Sequence, residues 1–322
     1  MASTELRNDR TRDIDLVGTL DLLRLLNAED AVVAGAVAAV LPIVAEVVEK
    51  AAERVRSGGR VHYFGAGSSG RIGVLDAAEV VPTFGVPPGL FIAHHAGGDG
   101  AVARAAEGAE DQQRLGEQAA AGLTAADVAV GLTASGRTPD VGGALLAARA
   151  AGALTVLISS NLAAPLAEHA DYPVLADTGP EAIAGSTRLK AATAQKMILN
   201  SLSTAVLVRL GRTYSNLMVS LAGTNEKLRR RQVLILTEAS GAAEPACRSE
   251  LARCEGDLRL ALLCLLTGLD PRAAASRLAG AGGSVRAALA ATAGDPAATR
   301  TEPAASATGT EPAASAPGTE PA

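Results

Sequence analysis

Residues 60–83, RVHYFGAGSSGRIGVLDAAEVVPT, constrain the fold more than any other stretch of the chain. An apolar, β-favouring run at 61–64 feeds Gly65-Ala66-Gly67-Ser68-Ser69-Gly70, which carries no charge and little side-chain bulk, and the residues behind it have helix-forming composition. A strand, a tight glycine loop and a helix in that order present the N–H groups of the helix start to an anion. The glycines also satisfy the GxGxxG spacing of a dinucleotide loop, but that loop requires an acidic residue about 20 positions on, at the end of the next strand, to hold a ribose. Here the next apolar run, 89–93, ends in His94-His95. In place of the acid the loop offers two hydroxyls, Ser68 and Ser69, which suit the several acceptor oxygens of a phosphate monoester. The stretch reads as a sugar-phosphate loop rather than a nucleotide loop, with an ordinary strand-to-helix turn as the plainer alternative.

Further apolar β-type runs follow at 90–94, 128–133, 154–159 and 172–176, separated by Ala-rich helical segments, notably 101–121 and 141–151. Strand, helix, strand in this order predicts an α/β fold of parallel strands with right-handed crossovers and helices on both faces. The chain is 48% hydrophobic yet 2% aromatic and without Trp, so its core must be built from Ala, Val and Leu, which favours helices packed closely on a sheet. A net charge of -5 provides no global basic field, which argues against nucleic acid as the main partner. Cys247, Cys254 and Cys264 lie together in a late helical region, far in sequence from the four histidines, and read as buried thiols rather than bridges or a metal site. The first 15 residues are polar with charges of both signs and show no signal peptide. The most apolar stretch, 31–48, contains Glu46 and stays short of a convincing membrane span, so a soluble cytoplasmic protein is expected.

Helix-type periodicity begins near Val17, and Asn27 or Asp30 is placed to cap a second helix running to about Arg56. Residues 187–210 form the longest apolar-periodic segment, and the glycines before it predict a first turn open to a site. After Arg229-Arg230-Arg231 the pattern changes to short helical segments. The expected organisation is a sugar-phosphate-binding domain with N-terminal helices over 1–232, a small three-helix domain over 233–292, and a tail over 293–322. In the tail a nine-residue repeat starts at Thr301, Thr310 and Thr319 with no apolar side chain larger than Ala, a composition expected to stay disordered.

A second hydroxyl-rich turn, Thr133-Ala134-Ser135-Gly136-Arg137-Thr138-Pro139-Asp140, again follows a strand and precedes a helix. Two such turns at the carboxyl ends of strands in one open sheet lie on the side where ligands bind in doubly wound folds. Plain helix capping is the alternative for Thr133, Ser135 and Thr138. Among carboxylates, Glu79 precedes Val80-Val81-Pro82, an apolar setting that raises a carboxyl pKa if it desolvates the group, and Glu110 sits in an alanine-rich segment read as helix. Glu107 and Asp111 are (i, i+4) neighbours in that segment, and spacing alone does not choose among these acids. His94 and His95 point to opposite faces of a strand, and a surface role is expected for them. Arg188 and Lys190 begin the long helix and offer positive charge to a phosphate or carboxylate, or serve structural ion pairs.

Taken together, GAGSSGRIGVLDAAEVVPTFGV, AGGDGAVARAAEGAEDQ, GLTASGRTPDVGGAL and TGPEAIAGSTRLKAATAQKMILNSLSTA closely resemble, in order and spacing, the N-acetylmuramic acid 6-phosphate etherases of the sugar isomerase (SIS) fold. TELRNDRTRDID and GRTYSNLMVSLAGTNEKLRRR fit the same family, so the likeness covers about residues 4–290. The resemblance implies a doubly wound, parallel five-stranded SIS sheet flanked by helices, with a small UBA-like helical domain at the C-terminus. It implies cleavage of the D-lactyl ether of N-acetylmuramic acid 6-phosphate to N-acetylglucosamine 6-phosphate and D-lactate, in cell-wall amino-sugar recycling. It assigns Glu79 as catalytic acid and Glu110 as base, with the phosphate held by Ser68, Ser69, Thr133, Ser135 and Thr138 and with Lys190 as a further binding residue. No metal or redox cofactor is called for, and a homodimer with sites near the subunit interface is implied. Two departures stand out: Val80-Val81 where the family commonly has Cys-Pro, and Ala192 where glycine is usual. The rival functions are a non-catalytic sugar-phosphate regulator of the same fold and an aldose–ketose isomerase.

Overall fold

Alternation along the strands decides which helices they meet. In β1 (Val61–Gly65) Val61 and Tyr63 join one apolar core while Phe64 joins another, as the two-residue period of a strand buried on both faces requires. The same division holds in β3 (Val128–Leu132) and β4 (Leu154–Ser159), which send Val128, Val130, Val156 and Ile158 to the first core and Ala129 and Leu157 to the opposite face. With β2 (Phe91–His95) and β5 (Tyr172–Leu175) they form one five-stranded sheet, order β2-β1-β3-β4-β5, parallel at every pairing. The computed structural model describes residues 3–291 except 105 and 224, so the repeat tail lies outside the described residues.

The first face is covered by α2 (Val33–Arg56), α3 (Gly67–Phe84) and α7 (Lys190–Arg209), with α1 (Thr19–Asp30) touching α7. By length and composition the helical run Thr19–Arg56 is apolar enough to cross a membrane, against the expectation from 31–48, and α2 forms most of it. Its Val33, Val37, Val40, Val44, Val47 and Val48 are nevertheless buried, in the role of a core helix. No side chain caps its start, so neither Asn27 nor Asp30 has the expected capping role; α1 runs through both of them to Asp30. A buried carboxylate, Asp76, accepts hydrogen bonds from Tyr63 Oη (2.8 Å) and Ser203 Oγ (3.1 Å), which fixes α3 against β1 and α7.

On the other face α5 (Gln113–Ala120) and α6 (Pro139–Ala150) cross at backbone distance. A Cβ added at Gly116 would stand 1.8 Å or less from a carbonyl, that of Asp140 at 1.7 Å, and one at Gly143 would meet Gln113 O at 2.1 Å, so only glycine permits this approach. The 101–121 segment expected as one helix is split: α4 (Gly100–Ala103) stops after four residues, and residues 104 and 106–112 are irregular before α5. Gly108, at φ +72°, takes a left-handed conformation that ends any helical run there.

After α7, among the described residues, come α8 (Glu226–Ser240), α9 (Glu244–Arg253), α10 (Leu258–Thr267), α11 (Pro271–Gly280) and α12 (Val285–Ala290). They share a separate apolar core that begins with Val219 and contains the three buried, free cysteines.

Candidate active site

The sheet order reverses between β1 and β3, and the loops that leave these adjacent strands open a crevice at their carboxyl ends. Gly65 pairs in register with Leu132, so the glycine loop and the second hydroxyl turn stand side by side. Between them is a cavity of about 350 Å³ lined by Ser68, Ser69, Thr133, Ser135, Thr138 and Glu110. All but two of the residues assigned to the site in the sequence therefore converge on one space.

On the β1 side, α3 starts at Gly67, whose φ of +52° turns the chain sharply into the helix. The N–H groups of the first helical turn lack intrahelical acceptors, and they lie at the positive end of the helix dipole. Among the described residues neither Ser68 nor Ser69 has a side-chain hydrogen-bond partner, which leaves both hydroxyls to the cavity. Gly70 has to be glycine, because an added Cβ would sit 2.3 Å from Gly65 O and 2.6 Å from His95 Cδ2.

On the β3 side, Thr133 is buried and works as a hub. Its Oγ1 lies 2.8 Å from Thr138 Oγ1 and 3.4 Å from Ser135 Oγ, and it accepts the Gly136 N–H at 3.2 Å. Thr138 occupies the N-cap position of α6, but its hydroxyl bonds Thr133 rather than a helix N–H, so helix capping does not account for it. The turn is pinned from β4: Ser159 Oγ donates to Ala134 O (3.1 Å) and Asn161 Nδ2 to Ser135 O (2.8 Å). Ser159 and Asn161 were missed in the sequence, although the polar Ser-Ser-Asn directly after a strand is a signal of the same kind.

Glu110 comes from the irregular segment, not from a helix. Buried Ala109 anchors it, and Glu110 O accepts the Asp140 N–H (3.0 Å), so the start of α6 holds the acid at the cavity. Asp140 itself is buried, which pushes its carboxyl up to about 6. Glu5, Arg137, Gly185 and Thr187 also line it, and residues 4–11 are tied down nearby. Gly185 N donates to Thr4 O (3.2 Å) and Thr11 Oγ1 to Ala182 O (2.8 Å).

Glu79 and Lys190 are the two that the chain does not bring to the cavity. Glu79 is exposed on α3, about three turns past Gly67, and does not line the cavity. Lys190 is completely buried and its Nζ lies 2.6 Å from Glu29, which also binds Arg10 (2.5 Å) and Asn8 (2.8 Å). Arg10 first, with Lys190 and Asn8, holds Glu29 down at about 2 against the effect of burial. The first turn of α7 is not open to a ligand, since the buried Glu181 carboxylate accepts the N–H groups of Lys190 (2.9 Å) and Ala191 (3.0 Å). His94 and His95 are half-buried: His94 stacks on Phe64 and lies 3.0 Å from His62, and His95 reaches Gly67 O (3.2 Å).

A grouping of metal-type ligands occurs among the described residues at Glu250, Cys254 and Cys264, in the C-terminal helices and outside this cavity. Burial pushes the Cys254 thiol up to about 12.

Comparison with known proteins now bears on this geometry. The glucokinase regulatory protein N-terminal SIS domain matches residues 43–149 and the SIS domain matches residues 105–205. An N-acetylmuramic acid 6-phosphate etherase of Thermobifida fusca is 57% identical over 266 residues, 83% of this chain and 88% of the relative. The chain belongs to the N-acetylmuramic acid 6-phosphate etherase family. Etherases of Cronobacter sakazakii and Salmonella typhi are 49% and 48% identical, each over 89% of this chain and 97% of the relative. Among solved structures, a phosphoheptose isomerase from Francisella tularensis aligns with a TM-score of 0.48 at 20% identity, over 59% of this chain and 98% of that one. The family's Cys-Pro and glycine positions fall here at Val80, buried against the sheet, with Val81 beside it, and at Ala192, buried in α7; none of the three lines the cavity.

Proposed function

We infer that this chain is a carbon–oxygen lyase that cleaves the D-lactyl ether of N-acetylmuramic acid 6-phosphate, giving N-acetylglucosamine 6-phosphate and D-lactate. The observation that carries the reading is Glu110 in the same cavity as two hydroxyl-rich turns on adjacent parallel strands. The 6-phosphate sits against the first turn of α3, with Ser68, Ser69, Ser135 and Thr138 donating to its oxygens and Thr133 holding the last two in position.

An ether oxygen does not leave a saturated carbon unaided. In the ring-opened sugar, the C1 aldehyde acidifies the proton on C2, and the aldehyde itself is the electron sink, so the chemistry requires no metal or redox cofactor. Glu110, as carboxylate, takes the C2 proton; the electron pair forms the C2–C3 double bond, and the C3–O bond breaks. A protonated carboxyl gives the departing lactate oxygen its proton. Water then adds at C3 and a proton returns to C2, with the two groups in exchanged roles. Each such proton transfer contributes about 10²- to 10⁴-fold in rate.

Glu79 is the acid in this reading. It stands outside the cavity of its own chain, so the reading requires a homodimer in which each subunit presents Glu79 to the other's cavity. Exposed Leu75, one helical turn before Glu79 on α3, supplies an apolar neighbour for such a contact. The direct test is incubation of the purified protein with N-acetylmuramic acid 6-phosphate and assay for D-lactate. A sugar-phosphate regulator or an aldose–ketose isomerase releases none.

A further inference from the structure

The cleaved bond joins C3 to a three-carbon acid whose carboxylate is charged at neutral pH, and a charge taken into a cleft requires a partner. Glu110 acts at C2, so the arm on C3 must lie beside Glu110. A second cavity of about 240 Å³ lies there, sharing Ala66, Gly67 and Glu110 with the phosphate cavity and otherwise lined by Arg71, His95 and Ala106 among others. Arg71 is half-buried, one turn into α3. Its Nε donates to Val102 O (2.7 Å) and its Nη2 to Ala101 O (3.1 Å), which fixes the guanidinium against the end of α4. Among the described residues its Nη1 edge has no hydrogen-bond partner, and it supplies the guanidinium in this cavity's lining. Glu107 lines it too, but is exposed, where water screens its charge.

We propose that this second cavity receives the lactyl arm, with its methyl against the alanines and its carboxylate paired to Arg71. The proposal rests on the etherase reading above. A guanidinium already held by two carbonyls has little freedom left to lose on binding, and its remaining N–H groups suit a carboxylate. Arg71 thereby distinguishes substrate from product, since N-acetylglucosamine 6-phosphate has the phosphate and no lactyl group.

The test compares kcat/KM for N-acetylmuramic acid 6-phosphate and for its lactyl carboxamide, in the wild type, Arg71→Gln and Arg71→Lys. One charge-assisted pair predicts that the wild type prefers the acid by about 10- to 100-fold. Arg71→Gln should bring the ratio near one, Arg71→Lys should keep part of it, and inhibition by N-acetylglucosamine 6-phosphate should stay at the wild-type level in both. Because the readout is a ratio within each variant, a partly unfolded preparation does not alter it. An unchanged ratio in Arg71→Gln, or equal loss of substrate and product binding, overturns the assignment of Arg71 alone. A wild type that releases neither lactate from the acid nor lactamide from the carboxamide overturns the etherase reading and this one with it.

Discussion

Glu110, Ser135 and Thr138 each do something a nearby residue does not. Glu110→Gln keeps the size and removes the base, so kcat should fall by about 10²- to 10⁴-fold, with the affinity for N-acetylglucosamine 6-phosphate retained. Lactate release together with product inhibition measures both. Ser135→Ala/Thr138→Ala should weaken substrate and N-acetylglucosamine 6-phosphate alike, which equilibrium binding of the product reports directly; equal affinity for the unphosphorylated sugar would remove the phosphate from this site. Lys190 belongs to stability. Lys190→Met leaves Glu29 buried with one ion partner fewer and should cost about 3–5 kcal/mol in urea unfolding. Glu29 is held at about 2, below its usual 4.5, so its contribution is complete above the unfolded value and is lost as pH falls through that window. The unfolding midpoint should therefore drop between about pH 5 and 2 in the wild type and less steeply in Arg10→Ala, where the largest cause of the shift is gone.

Elements differ in how openly the chain announces them. All five strands were legible because each is a short apolar run between glycines and Ala-rich helices, and both hydroxyl turns were legible because they follow such runs. The segment around Glu110 was not: alanine composition says helix, while Gly108 and the contact with the start of α6 impose a loop. Lys190, for which ligand binding and structural ion pairing stood open in sequence, pairs with Glu29, 161 residues away, and no local pattern reports such a pair. The buried Asn8 and Thr11 are likewise set by a distant carboxylate and distant carbonyls, and Thr4 O accepts the Gly185 N–H, contacts that the polarity of the N-terminus does not report. At this scale the β1–α3 connection is the most sensitive point. Gly70→Ala pushes a methyl into Gly65 O and His95 and should cost about 1–3 kcal/mol, read as a lower Tm together with weaker sugar-phosphate binding.

The whole molecule joins a sheet buried on both faces, which carries the cavity, to a set of C-terminal helices with their own apolar core, and neither part brings Glu79 to Glu110. If two copies exchange this acid, a mixture of Glu79→Gln and Glu110→Gln subunits, each inactive alone, regains activity on mixing, because one site of the mixed dimer holds both intact carboxyls. Mixing without recovery, with exchange shown by mass between subunits carrying different tags, would confine both acids to one chain. The elimination itself is tested most directly by running the reaction in deuterium oxide and reading C2 of the product by NMR. The account predicts that every molecule that has lost lactate carries solvent deuterium at C2, and that Glu110→Gln introduces none. Lactate released with the original C2 hydrogen retained would contradict it.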